Sequence, residues 1–227
     1  MNILITGAGS GIGRSLAEEL VARGNSVVGL SRRRHKRGSQ GQLLMIACDV
    51  RRESDVNRAV KKAVTTAGAI DVVVHSAGVT VFKEFLRTSS REFERVVQTN
   101  LLGTMFVTKA VLPEMVRRRR GLIVNIASYA VKTVYTGSSA YSASKAGTVA
   151  MMNSLREEIR NRRVRVMNVF PGAVRTPMWP VSLQRKYGTV MMEPKEIAKI
   201  VCDAIMQPSH LTVEELVIRP AIGDLRV

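Results

Sequence analysis

Aromatic residues are scarce in this chain, at 4%, and cysteine occurs only at positions 48 and 202. Two thiols with no CxxC pair and no Cys/His cluster offer neither a disulfide framework nor a zinc site, so no metal is expected and a reducing, cytoplasmic setting is. No apolar run approaches the roughly 18 residues or more of a membrane-spanning helix. The N-terminus enters a glycine-rich turn within six residues and lacks the basic segment of a secretory leader. Neither secretion nor membrane insertion is expected. Acids are also few: 18 Asp+Glu stand against 35 Lys+Arg, a formal charge of +17. Such an excess favours polyanionic partners. Yet the cations are scattered along the chain, with short runs at 32–37, 117–120 and 160–165, and no recognisable nucleic-acid module surrounds them. A solvated basic surface is the plainer reading, and a nucleic-acid surface the lesser alternative.

What is present is patterning. The 227 residues are 45% hydrophobic and 23% charged, enough for one sizeable core. Short apolar runs recur at 2–6, 26–30, 43–47, 71–75, 122–127, 164–170 and 214–219, separated for the most part by segments long enough for helices. Continuous apolar runs of this length suit strands buried on both faces, and a repeated strand–helix order implies a parallel sheet covered on both sides. The fold expected is α/β, a doubly wound, Rossmann-type parallel sheet of about seven strands, in a single domain spanning 1–227. At 89–92, Ser-Ser-Arg-Glu offers a capping box ahead of a long amphipathic stretch that ends at the arginines 117–120 and Gly121. The interval 31–42 is too short for the helix due there, which should shrink to a turn or a loop.

Three places carry chemistry. After the first strand comes Thr6-Gly-Ala-Gly-Ser-Gly-Ile-Gly13, where Gly7, Gly11 and Gly13 allow a tight turn and close backbone approach to a pyrophosphate at a helix N-terminus. The spacing is G-x3-G-x-G, with Ile12 where the general G-x-G-x-x-G fingerprint has its last glycine. At the end of the second strand stand Ser31, Arg32 and Arg33. An acid there would bind a free ribose 2′-hydroxyl; guanidinium groups instead suit a 2′-phosphate, which favours NADP(H) over NAD(H). Finally, Tyr141 and Lys145 lie four residues apart among Ser142, Ala143, Ser144, Ala146 and Gly147, and so share one face of a helix. A free phenol has a pKa of about 10, too high for work near neutrality, and a fixed positive charge one turn away would lower it.

These pieces resemble the short-chain dehydrogenase/reductase family in its compact single-domain branch. The resemblance rests on TGxxxGxG at 6–13, Asp49-Val50, His-Ser-Ala-Gly at 75–78, Gln-Thr-Asn-Leu-Leu-Gly at 98–103, Ile-Val-Asn-Ile-Ala-Ser at 123–128, Tyr-Ser-Ala-Ser-Lys at 141–145 and Pro-Gly-Ala-Val-Arg-Thr at 171–176. It implies an oxidoreductase in which Tyr141 is the general acid/base and Ser128 holds the substrate oxygen. Lys145 would lower the Tyr141 pKa and bind the nicotinamide ribose, and Asn100 would support a water in a proton relay. It also implies that the cofactor meets Gly7, Ser10, Gly11, Ile12, Gly13, Ser31, Arg32, Arg33, Asp49, Val50, Ala77, Gly78, Tyr141, Lys145, Pro171, Gly172, Val174 and Thr176, with Asp49 at the adenine amino group.

The chain departs from the family pattern in having Ser76 where an asparagine ties neighbouring strands, and His75 beside it, which reads as a packed residue. A substrate loop is expected at about 175–192, with Met178 and Trp179 as apolar contacts and Arg175, Arg185 and Lys186 as candidates to meet a carboxylate or phosphate. The substrate so implied is a small alcohol or carbonyl compound: a hydroxy acid, a sugar or a simple alcohol, near the 3-hydroxy acid branch of the family. The resemblance also implies a homodimer or homotetramer. The alternatives are a reductase of carrier-bound 3-oxoacyl groups and a non-catalytic NADP(H)-binding protein with a nucleic-acid surface.

Overall fold

The computed structural model describes residues 1–33, 43–223 and 225. Seven strands form one parallel sheet: β1 (Asn2–Thr6), β2 (Ser26–Ser31), β3 (Leu43–Ala47), β4 (Val72–His75), β5 (Gly121–Ile126), β6 (Val164–Pro171) and β7 (Glu215–Ile218), in the order β3-β2-β1-β4-β5-β6-β7. Each expected apolar run became a strand. The helices are α1 (Gly11–Ala22), α2 (Glu53–Ala67), α3 (Ser90–Val97), α4 (Gly103–Arg118), α5 (Ser139–Ile159), α6 (Val181–Tyr187) and α7 (Pro194–Ile205). The expectation of a turn or loop between β2 and β3 falls on 34–42, outside the described residues.

Alternation along each strand builds two cores. Ile3 and Ile5 of β1 face the side covered by α1 and α7, where Leu16, Leu20, Ile197 and Val201 pack. Leu4 between them faces the other side, with Val60 of α2, Val107 and Met115 of α4, and Met152 of α5. Both faces are therefore dry, as parallel sheets require. Strand order reverses between β1 and β4, which opens a crevice at the carboxyl ends of those strands.

Ser89 and Glu92 form the expected capping box. The long helix it starts is not continuous: α3 ends at Val97, a π turn spans Gln98–Leu102, and α4 begins at Gly103. A π turn widens the helix by one residue and releases a backbone carbonyl from the regular ladder. Here it carries Asn100. At the far end of α4 the arginine run has local work: Arg118 bonds Asp71 at 2.7 Å, Arg120 lies 3.5 Å from the same carboxylate, Arg117 pairs with Glu114 at 2.6 Å, and Arg119 donates to Asn161 O at 2.9 Å. Arg160 in the third run bonds both Glu157 and Glu214. Much of the basic sequence is thus tied into the fold.

Candidate active site

The glycine-rich turn is shaped by close approach. Gly7 has φ +70°, and a Cβ on it would lie 2.8 Å from the backbone of Ser76 and Ala77. A Cβ on Gly13 would lie 2.5 Å from the Gly7 oxygen, so α1 can pack against the turn only if that position is glycine. The Thr6 hydroxyl accepts from the N–H groups of both Ser76 and Ala77 at 3.1 Å, joining the end of β1 to the end of β4. It thereby supplies a strand tie at the position where the family asparagine is missing. Thr6 opens the motif, but its tie to β4 was not read from the sequence.

Ser10 caps α1 without a side-chain hydrogen bond, and the first turn of α1 holds no acid. The leading N–H groups and the positive end of the helix dipole are therefore free of a built-in anion, as a pyrophosphate site needs. Arg32 and Arg33 line the same cleft, both exposed, and β2 ends without an acid. Asp49 accepts from the Arg51 guanidinium at 2.6 Å and from its backbone N–H at 3.1 Å, and this holds the carboxyl below its usual range. A nicotinamide dinucleotide fits these residues.

The cleft, of about 1350 Å³, is lined by every residue that the sequence reading named for catalysis and cofactor binding except Gly13 and Asn100. Those two lie behind its wall. Asn100 is buried and has its side chain fully bonded: Oδ1 accepts from Val79 N at 2.9 Å, and Nδ2 donates to Val79 O at 3.0 Å and to Ser144 Oγ at 2.9 Å. Its carbonyl accepts from Thr104 Oγ1 at 2.8 Å and Thr148 Oγ1 at 3.4 Å. Both the amide and the carbonyl of Asn100 are thus held by protein groups.

Tyr141 lies in the first turn of α5 and is half-buried, and it shares the cleft with Ser128. Burial raises the phenol pKa, and the Ser128 hydroxyl opposes that rise. Lys145, one turn on, is buried with Nζ 5.9 Å from the Tyr141 ring centroid and donates to Ile126 O at 2.6 Å. Burial lowers its own pKa to about 8. The lowering of Tyr141 expected from Lys145 does not figure among the causes acting on the phenol here; burial dominates instead. His75 is buried on β4, its Nε2 3.0 Å from Thr108 Oγ1, and burial together with the Lys145 charge drops its pKa to about 3. It is a packed neutral imidazole, as read from the sequence.

On the substrate side, Met178, Trp179 and Leu183 reach the cleft, but Arg175, Arg185 and Lys186 do not line it. Arg175 pairs with Glu193 at 2.5 Å, and Lys186 lies over the Tyr187 ring at 4.9 Å. The cations picked out for a carboxylate or phosphate are drawn to other partners or to solvent. The stretch after Gly78 and residues 129–138, also expected to frame the pocket, bring Phe82, Tyr129 and Tyr135 to the cleft. Those segments follow β4 and β5, at the carboxyl ends of the strands.

A family profile described as short chain dehydrogenase matches residues 1–186. The chain is 35% identical to a sepiapterin reductase of Chlorobaculum tepidum over 99% of its own length and 98% of that protein's. It is 34% identical to an uncharacterized oxidoreductase of Staphylococcus saprophyticus, over 96% of each. Among solved structures, serine dehydrogenase from Escherichia coli is similar with a TM-score of 0.89 at 27% identity, covering 99% of this chain and 100% of that one. A closed form of serine dehydrogenase complexed with NADP+ gives 0.91 at 25% identity, covering 100% and 98%. With the profile, the full-length relatives and the cleft in agreement, this chain belongs to the short-chain dehydrogenase/reductase family of nicotinamide-dependent oxidoreductases.

Proposed function

We propose that the protein interconverts a small alcohol and its carbonyl compound with NADP(H) in preference to NAD(H), using Tyr141 as general acid/base. The observation that carries this reading is the gathering of Ser128, Tyr141 and a buried Lys145 in the same cleft as an α1 N-terminus without a side-chain cap. A bound nicotinamide supplies or accepts the hydride. Ser128 and Tyr141 would hold the substrate oxygen, and Tyr141 would give it a proton in reduction or take one in oxidation. Lys145 would turn from Ile126 O to the ribose hydroxyls and bring its charge toward the phenol. Asn100 would act by position, clamping Val79 and the start of the substrate-side loop against the cleft.

The NADP(H) preference is supported by Arg32 and Arg33 at the end of β2, and by the NADP+ named with one serine dehydrogenase structure. The hydroxy-acid reading has lost one support, since Arg175 is paired with Glu193. Self-association through the outer faces of α4 and α5 belongs to the same proposal and rests on the resemblance; sedimentation would read it. No helix among the described residues is long and apolar enough to cross a membrane, which accords with a cytoplasmic placement. The test is oxidation of NADPH and NADH, separately, across a panel of carbonyl compounds. A faster reaction with NADPH that Tyr141→Phe loses would support the proposal, and full turnover by that variant would end it.

A further inference from the structure

The chain has one tryptophan, four tyrosines and five phenylalanines. The tryptophan, three of the tyrosines and one phenylalanine line a single cleft: Trp179, Tyr129, Tyr135, Tyr141 and Phe82. So sparse an aromatic content would not concentrate there by the needs of the core, whose two main clusters are built from aliphatic side chains. Phe82 follows β4 and Trp179 follows β6, yet their rings stack at a centroid distance of 5.0 Å and an interplanar angle of 21°. Phe82 is 41% exposed, so the pair sits at the mouth of the cleft and keeps ring surface open to it. Met178, next to Trp179, brings its Cε within 3.8 Å of the point where a Cβ on Gly78 would lie, and Lys145 Nζ is 3.7 Å from that same point. The residue beside Trp179 thus comes close to Lys145, and the aromatic lip shares one cleft with Ser128 and Tyr141.

Among the described residues, two cations at this end are committed to acids of the chain itself. Lys83 lines the cleft but bonds Glu92 at 2.5 Å, and Arg175 is held by Glu193. Arg95 lines the cleft as an exposed cation on α3, and the hydroxyl of Thr99 one turn on is given to the Arg95 carbonyl at 2.8 Å. Desolvating a carboxylate without such a pairing is costly, whereas a planar ring packs on aromatic faces by offset stacking or edge contact.

We propose that the substrate is a flat aryl or conjugated carbonyl compound whose ring packs against the Phe82–Trp179 pair while its carbonyl oxygen reaches Ser128 and Tyr141. The inference rests on the dehydrogenase reading of Tyr141. In reduction the carbonyl carbon gains the hydride of NADPH and the oxygen gains the Tyr141 proton, giving an aryl alcohol and NADP+.

The test compares 1-phenylpropane-1,2-dione with butane-2,3-dione, two diketones that differ by the ring, with 3-oxobutanoate as the acid control. Trp179 is the chain's sole tryptophan, so its fluorescence, corrected for absorption by the ligand, reports binding at this lip without any turnover. The expected result is a kcat/KM at least about tenfold higher for the phenyl compound, with saturable quenching by it alone. Trp179→Leu and Phe82→Leu should each raise KM for the phenyl compound and shrink that ratio severalfold, with the Kd for NADPH unchanged. Equal kcat/KM for the two diketones, or a parallel loss for both in the variants, overturns the ring site. Turnover of 3-oxobutanoate in preference to both diketones overturns it while leaving the dehydrogenase reading intact. Saturable quenching by the phenyl compound with no turnover of any compound supports the ring site and counts against Tyr141 as the acid.

Discussion

Asn100 and Val79 exchange two hydrogen bonds: the Val79 N–H donates to Oδ1 at 2.9 Å and Nδ2 donates to the Val79 carbonyl at 3.0 Å. The amide side chain mimics a neighbouring strand for the segment that leaves β4. Asn100→Ala would strand both Val79 groups and take a partner from Ser144, at about 1–3 kcal/mol for each buried group left unpaired. The expected outcome is a fall in Tm of about 5–15 °C, since each kcal/mol shifts a chain of this size by roughly 2–4 °C. Asn100→Asp should also destabilise, because it replaces a donor with a second acceptor against the Val79 carbonyl. A Tm within about 2 °C of the parent in Asn100→Ala would show that the pair contributes little.

Lys145 should cost stability where it serves function. Its pKa falls from 10.5 to about 8 on burial, so the unfolded chain holds the proton more tightly through that interval. Stability from this group therefore rises as pH climbs from 8 toward 10.5, and the penalty is full below 8. Lys145→Met should raise Tm at pH 7, with a gain that shrinks as pH approaches 10, while abolishing turnover. Thermal melts at pH 7 and pH 10 measure it; a gain that does not change with pH would contradict the buried-charge origin.

His75 predicts the opposite limb of the pH curve. Its pKa drops from 6.5 to about 3, with burial the main cause and the Lys145 charge second. The neutral imidazole stabilises fully above pH 6.5, and that contribution is lost progressively as pH falls toward 3. His75→Asn should flatten this acid loss, read as a smaller difference in urea midpoint between pH 7 and pH 5 than the parent shows. An unchanged difference would place the acid sensitivity elsewhere.

Arg32 and Arg33 should separate the two cofactors. A charge-assisted bond contributes about 1.5–3 kcal/mol, so Arg32→Ala or Arg33→Ala should weaken NADPH binding about tenfold or more. The Kd for NADH should stay within about twofold, because a ribose hydroxyl gains little from guanidinium groups. Titration of NAD(P)H fluorescence gives both constants, and equal weakening of the two would assign these arginines to general charge rather than to a 2′-phosphate.

The strands were legible because a parallel sheet buries both faces, which leaves continuous apolar runs such as 72–75 and 122–126 in the sequence. The Tyr141–Lys145 pair and the glycine turn were legible because each lies within a few consecutive residues whose spacing fixes a shared helix face or a tight turn, whereas Ser128 and Asn100 were named only through the resemblance of their motifs. The π turn at Gln98–Leu102 was not, since nothing in the local helical pattern marks one extra residue per turn. Nor were the partners of Arg175 and Arg118, acids at 193 and 71 that only the folded chain brings near. The Phe82–Trp179 pair joins residues almost a hundred positions apart, and so belongs to topology rather than to pattern.

Tyr141 is tested most directly by the loss of absorbance at the reduced-nicotinamide band for the parent and Tyr141→Phe, with NADPH and NADH, on the phenyl diketone and its alkyl counterparts. Removing the acid/base while keeping the ring should lower kcat about 10²–10⁴-fold, with Tm and the Kd for NADPH preserved and NADPH the faster donor in the parent. Turnover by Tyr141→Phe at the parent's rate would contradict the central claim.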